Sequence, residues 1–145
     1  MFRDMNIEPL LTIITDWGRA HADVRAIALV GSYARGTARP DSDVDVMILS
    51  AAPDRYRSAD WLTQIDWAQA AVTVVHWHDK DYGVVWSRHV ELGSGLQVEF
   101  SFGAPGWASV DPLDAGTARV LGDGYHILYD ADGLLARVAS MVNTK

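Results

Sequence analysis

Gly31-Ser32-Tyr33-Ala34-Arg35-Gly36, followed by Ser42-Asp43-Val44-Asp45, is the stretch on which the reading of this chain turns. It sets a glycine-serine turn after one apolar run and two carboxylates, one residue apart, at the start of the next. Alternate residues of a strand point to the same face, so Asp43 and Asp45 converge while Val44 and Val46 turn towards a core. Two converging carboxylates repel each other unless a cation lies between them. A hard cation with oxygen ligands, Mg²⁺ above all, is the natural guest. A Gly-Ser turn that opens a helix offers backbone N–H groups and a hydroxyl, which suit a phosphate. A metal site beside a phosphate cradle points to phosphoryl or nucleotidyl chemistry.

Working outward, Val24 to Val30 reads as a buried strand leading into the turn, and Ser32 to Ala38 as a short helix broken by Arg39-Pro40-Asp41-Ser42. Val44 to Leu49 is the strand that carries the acid pair. Before them, residues 7 to 21 carry Ile7, Leu10, Leu11, Ile14 and Trp17 at helical spacing, with Asn6 or Glu8 as cap and Pro9 in the first turn. After them, Ser58 to Ala70 is expected as a helix with Trp61, Leu62, Ile65 and Ala68 on its apolar stripe. Val72 to His78 follows as a strand. Gly83 to Leu92 and Leu96 to Phe102 read as a hairpin around Gly93-Ser94-Gly95. Asp111-Pro112-Leu113-Asp114 is a helix start, which Gly122 would close. His126 to Tyr129 is a last strand, and Leu134, Leu135, Val138, Met141 and Val142 mark a C-terminal helix.

The second hairpin strand supplies a third acid. In Leu96-Gln97-Val98-Glu99-Phe100-Ser101-Phe102 apolar residues alternate with polar ones, which sends Glu99 to the face opposite Val98 and Phe100. If this strand lies beside that of Asp43 and Asp45, three carboxylates share one face of the sheet.

Other features have two readings. Gly31 to Gly36 lacks the Gly-Lys-Ser/Thr ending of a P-loop, which excludes that cradle. His76-Trp77-His78 puts two imidazoles on one strand face, either a transition-metal pair or plain exposed polar residues. Lys80 and Arg88 are contacts for phosphate or acceptor, or else surface charge. Trp17 and Trp61 fit helix stripes and belong to a core, whereas Trp86 and Trp107 are candidates for stacking on a base or sugar.

Composition bounds the rest. The 145 residues suit one domain, 1–145, able to bury its own core, and 49% of them are hydrophobic. Lys and Arg number 12 against 19 Asp and Glu, a net charge of −7, which disfavours a nucleic-acid partner. There is no cysteine, so no disulfide framework and no thiolate metal site. Met1-Phe2-Arg3-Asp4 does not open a signal peptide, and no apolar run approaches the roughly 20 residues of a membrane span. A cytoplasmic location without membrane attachment is the expectation.

Taken together, Gly31-Ser32, Asp43-Val44-Asp45 and Glu99 resemble the nucleotidyltransferase superfamily of the DNA polymerase beta type. The form Gly-Ser-Tyr-Ala-Arg-Gly with Ser-Asp-x-Asp is most similar to the small bacterial branch, which includes aminoglycoside adenylyltransferases and the minimal nucleotidyltransferases of toxin–antitoxin pairs. Trp107-Ala108, Asp111-Pro112-Leu113-Asp114 and Leu128-Tyr129-Asp130 add a less specific likeness to the aminoglycoside 6-adenylyltransferase-like group. The resemblance implies an α/β (α+β) fold, a mixed sheet of about five strands with helices mainly on one face. It implies Mg²⁺, two ions, held by Asp43, Asp45 and Glu99, with Glu99 also placed to act as base towards an acceptor hydroxyl. It implies that Gly31 and Ser32 bind the β- and γ-phosphates of an NTP, ATP first, with Arg39 and Ser42 adding contacts. The acceptor it implies is a small hydroxylated molecule of aminoglycoside-like character. The alternatives are a partner protein's hydroxyl, as for an antitoxin enzyme, or a non-catalytic nucleotide-binding module. Family members that modify antibiotics close the acceptor side with a further helical domain. Here either a homodimer or a partner protein takes that place, with the apolar stripe of Leu134 to Val142 as its seat, or the acceptor differs; the other reading of the stripe is that it packs on the chain's own sheet.

Overall fold

The computed structural model describes residues 7–39, 42–83, 85–105 and 125–137. Helix α1 (Glu8–Arg19) buries Leu10, Leu11, Ile13, Ile14 and Trp17, the stripe its spacing predicts. Its cap differs: Ile7 stands at the N-cap without a side-chain cap, and Glu8 lies in the first turn, where a carboxylate suits the helix dipole. Strand β1 (Val24–Val30) passes directly into the short helix α2 (Gly31–Arg35), which Gly36 ends in a left-handed conformation. Strands β2 (Val44–Ser50), β3 (Val74–Asp81), β4 (Val85–Leu92), β5 (Gln97–Gly103) and β6 (Tyr125–Asp130) complete one sheet.

That sheet has six strands rather than five, in the order β3-β4-β5-β2-β1-β6. Only β2 and β5 pair in parallel; every other neighbouring pair is antiparallel. The β4–β5 pair is the expected hairpin around Gly93–Gly95. One face of the sheet carries the main core, with Val44, Val46, Ile48, Val98, Phe100 and Phe102 packed beneath Ile14, Trp17, Trp61 and Leu62. On the other face Ala26, Ala28, Met47 and Leu49 pack against Leu135, from a helical turn at 134–137. Leu135, with Leu134 partly buried beside it, thus packs on the chain's own sheet, the second of the two readings of that stripe. Val138, Met141 and Val142 lie outside the described residues, as do the helix expected from Asp111 to Gly122, Trp107 and Asn6.

The helix expected over Ser58 to Ala70 is not formed. Three 3₁₀ stretches stand there, Pro53–Arg57, Asp60–Gln64 and Trp67–Ala70. Extended backbone at Ser58 and Ile65 interrupts the helical spacing, and side chains bond the carbonyls and N–H groups of the short stretches between. Trp61 Nε1 donates to the Tyr56 carbonyl at 2.6 Å and Trp67 Nε1 to the Leu62 carbonyl at 2.8 Å. Ser58 Oγ accepts the Asp60 N–H at 3.3 Å, and Thr63 Oγ1 donates to the Asp60 carbonyl at 2.8 Å. Of the apolar stripe, Trp61, Leu62 and Ile65 nonetheless join the core, while Ala68 is exposed.

Arg88 and Trp86 belong to that core side as well. Arg88 is fully buried and donates to both carboxylate oxygens of Asp79, at 2.7 and 2.9 Å, and to the carbonyls of Ser58 and Arg57 at 3.1 and 2.8 Å. Its guanidinium carbon lies 4.3 Å from the ring centre of Trp77 and 5.2 Å from that of Trp86. Trp86 is 2% exposed and stacks on Phe102 at 4.8 Å between ring centres. Neither residue is a phosphate contact or a stacking platform for a base. Both point away from the acid pair because they alternate with His89 on β4.

Candidate active site

The site is a row of paired residues across the sheet. Tyr125, Val30, Asp45, Glu99, His89 and His78 are successive lateral partners on β6, β1, β2, β5, β4 and β3. Lateral partners share a face, and this face is the one opposite α1. The parallel register of β2 and β5 sets Asp45 directly beside Glu99, the juxtaposition that the alternation in each strand anticipates. Asp43 stands two residues before Asp45, at the mouth of β2.

Carboxylates and an imidazole meet there. One ligand atom each from Asp43, His89 and Glu99 lies within 4.8 Å of the other two, and all three residues are half-buried. His89 Nε2 is 3.5 Å from Glu99 Oε2. The ring of His78 lies parallel to that of His89, 4.8 Å away and inclined by 1°. The donor set of two carboxylates and one imidazole fits a divalent cation. His89 was not among the residues singled out in the sequence. The available signal was its symmetric position: with a hairpin centred on Ser94, residues 89 and 99 fall opposite each other.

Gly31 supports this row from below. It has φ +77°, a backbone conformation that other residues enter only at a cost, and a β-carbon there would fall on Asp45 Oδ2. Glycine is therefore required twice, once by conformation and once by space. Ser32, half-buried, follows at the start of α2, and its carbonyl accepts the Thr37 N–H at 2.9 Å. Arg39 and Ser42 form a turn that leads into Asp43: the Arg39 N–H donates to Ser42 Oγ at 2.8 Å, and the Ser42 N–H donates to the Arg39 carbonyl at 2.9 Å. Arg39 is exposed. Lys80 is also exposed, with its ammonium 5.3 Å from the ring centre of Tyr82.

This arrangement matches a known family. Residues 11–93 fit the nucleotidyltransferase domain, so the chain belongs to that family and is a transferase of nucleotidyl groups. The matched segment holds Gly31, Ser32, Asp43, Asp45 and His89, while Glu99 lies just beyond it. Among solved structures, a toxin–antitoxin with AMP-PNP has a similar fold, with a TM-score of 0.50 at 14% identity over 91% of this chain and 82% of that one. Among the described residues, no helix is long and apolar enough to cross a membrane.

Proposed function

We propose that this chain, acting as one nucleotidyltransferase domain, moves an NMP from an NTP, ATP first, onto the hydroxyl of an acceptor. The observation that carries this is the placing of Glu99 beside Asp45 on β5 and β2, with Asp43 at the same mouth of the sheet. In this reading Asp43, Asp45 and Glu99 hold the divalent cations, Mg²⁺ in the first instance and two in number. Bound there, the cations would neutralise phosphate charge and stabilise the attacking and leaving oxygens of an in-line displacement at the α-phosphorus. Gly31 and Ser32 face the departing pyrophosphate with backbone N–H groups and a hydroxyl. Ser42 holds the loop that aims Asp43, and Arg39 stands at its edge to meet phosphate. Glu99, with one oxygen turned to His89, orients the acceptor hydroxyl and takes its proton.

The first acceptor class is a small hydroxylated molecule, aminoglycoside-like in character, which the net negative charge of the chain favours over a polynucleotide. The second is a hydroxyl on a partner protein. The toxin–antitoxin of similar fold gives the reason to carry it, and the AMP-PNP in that structure is the reason to begin with ATP.

The test is incubation with labelled ATP and Mg²⁺ against pooled hydroxylated small molecules and, separately, a cell extract, following pyrophosphate release and the label. Label on a small molecule supports the first acceptor class, and label on a protein band supports the second. Asp45→Asn, nearly isosteric, is expected to lower turnover by roughly a thousandfold or more. Equal turnover by Asp45→Asn and wild type at saturating Mg²⁺ would overturn the assignment.

A further inference from the structure

We infer that His89 is itself a metal ligand, so that Asp43, His89 and Glu99 form a mixed nitrogen–oxygen centre preferring a borderline divalent cation, of the Co²⁺ or Zn²⁺ kind, to Mg²⁺. The inference rests on the function proposed above in its reading of Asp43 and Glu99 as ligands, and at this one centre puts a borderline cation in place of Mg²⁺. A purely carboxylate site suits Mg²⁺, whereas an imidazole nitrogen suits Zn²⁺, Fe²⁺, Co²⁺ and Ni²⁺ and adds little for Mg²⁺.

Three observations carry it. The first is proximity: the donor atoms of Asp43, His89 and Glu99 lie within 4.8 Å of one another. Three donors bound to one ion at about 2.1 Å stand about 3.0–3.6 Å apart, so side-chain rotations that move the ligand atoms by about 1–2 Å close the set. The second is aim. His89 Nε2 is the nitrogen turned to Glu99, at 3.5 Å, and the ring is only 19% exposed. The third is support. His78, the lateral partner of His89 on the edge strand, lies flat against its ring at 4.8 Å and holds the imidazole in the plane that points Nε2 along the row. Of the two histidines notable in the sequence, His78 braces the residue that ligates, while His76 lies a step further along the edge strand.

Metal binding to the apo-protein tests this without reference to turnover. Calorimetry should show Co²⁺ and Zn²⁺ binding at least about tenfold more tightly than Mg²⁺. His89→Gln should lower Co²⁺ affinity about tenfold or more while Mg²⁺ affinity stays within about threefold. In the wild-type protein, which removes any question of whether the variant folds, Co²⁺ should produce a hyperfine-shifted, exchangeable imidazole N–H proton resonance. Absence of that resonance in Co²⁺-loaded protein, or Co²⁺ affinity unmoved in a folded His89→Gln, overturns the inference. If either occurs while Asp45→Asn still abolishes nucleotidyl transfer, the mixed centre fails and the proposed reaction stands. If His89-dependent Co²⁺ binding is found but no NTP is turned over with any metal, the centre stands and the reaction fails.

Discussion

The Asp45 carboxylate occupies the space where a side chain on Gly31 would begin. Gly31 has φ +77°, and a β-carbon there would fall on Asp45 Oδ2. Gly31→Ala therefore has two costs, a left-handed backbone and an expelled carboxylate. Gly36 separates them, because it has φ +76° and nothing within 4 Å of the β-carbon position. Gly36→Ala is expected to cost about 1–2 kcal/mol and to leave Asp45 in place. Gly31→Ala is expected to cost more, and to lower kcat/KM at least about 100-fold, because a displacement of about 1 Å at a reacting site is worth that much. Equal kinetic effects in the two variants would show that contact with Asp45 is not what Gly31 provides.

Ser32→Ala tests the phosphate end of the same turn. Its hydroxyl is proposed to meet the β- and γ-phosphates, so loss of one hydrogen bond should weaken triphosphate binding by about 0.5–1.5 kcal/mol, or two- to tenfold. Monophosphate binding should change little. Calorimetry with a non-hydrolysable triphosphate and with the monophosphate decides: affinities that fall in parallel remove Ser32 from the pyrophosphate side.

Much of this site is legible in the sequence because local periodicity is enough to place its parts. Alternation alone sends Asp43 and Asp45 to one face of β2 and Glu99 to one face of β5. What alternation cannot give is register between strands distant in the chain. The parallel alignment of Asp45 with Glu99 is set by a crossover of some fifty residues, and His89 joins them only through the hairpin register around Ser94. The strand count is another such case: each of the six strands is marked by local pattern, but that all six join one sheet, with β3 at its edge, is again a matter of long-range pairing. The Ser58 to Ala70 segment misleads for a different reason. Its apolar spacing is helical, but the backbone is extended at Ser58 and Ile65 and the Trp67 indole takes the Leu62 carbonyl, so only short 3₁₀ stretches form.

Arg88 is a charge whose place the sequence does not reveal, and its substitution separates a structural role from a catalytic one. The guanidinium is buried between Trp77 and Trp86 and forked onto Asp79. Lysine keeps the charge but has neither the fork nor the flat face. Arg88→Lys is expected to destabilise the protein by about 1–3 kcal/mol, since the buried guanidinium loses its fork onto Asp79, itself 34% exposed, and its bonds to two carbonyls. Measured well below the unfolding temperature, KM for the NTP should not change. A raised KM with unchanged stability would return Arg88 to the phosphate site.

Asp23 gives the fold an acid-sensitive joint away from the active site. Burial pushes its carboxyl up, but hydrogen bonds from Tyr56 and Ser50, its own backbone and the Arg55 guanidinium outweigh burial and hold it below the ordinary 3.8. Ser50 Oγ donates at 2.7 Å and Arg55 at 3.0 Å, with the Tyr56 hydroxyl on the same oxygen as Ser50. A carboxyl depressed in the folded state contributes stability that is fully present above its unfolded pKa. That contribution is lost as pH falls through the lower, folded value. Tyr56→Phe removes a hydroxyl bonded to a charged group, and is expected to cost about 1.5–3 kcal/mol at pH 7. Phenylalanine keeps the ring packed on Phe102, whose centre lies 5.0 Å away, so the change isolates the hydroxyl. The deficit should shrink as the pH falls below the ordinary 3.8 and through the lower folded value, because protonated Asp23 no longer gains from the donor. Urea unfolding of wild type and Tyr56→Phe at pH 7 and pH 3 measures this directly. A deficit of the same size at both pH values would show that the hydroxyl acts through packing rather than through the carboxylate.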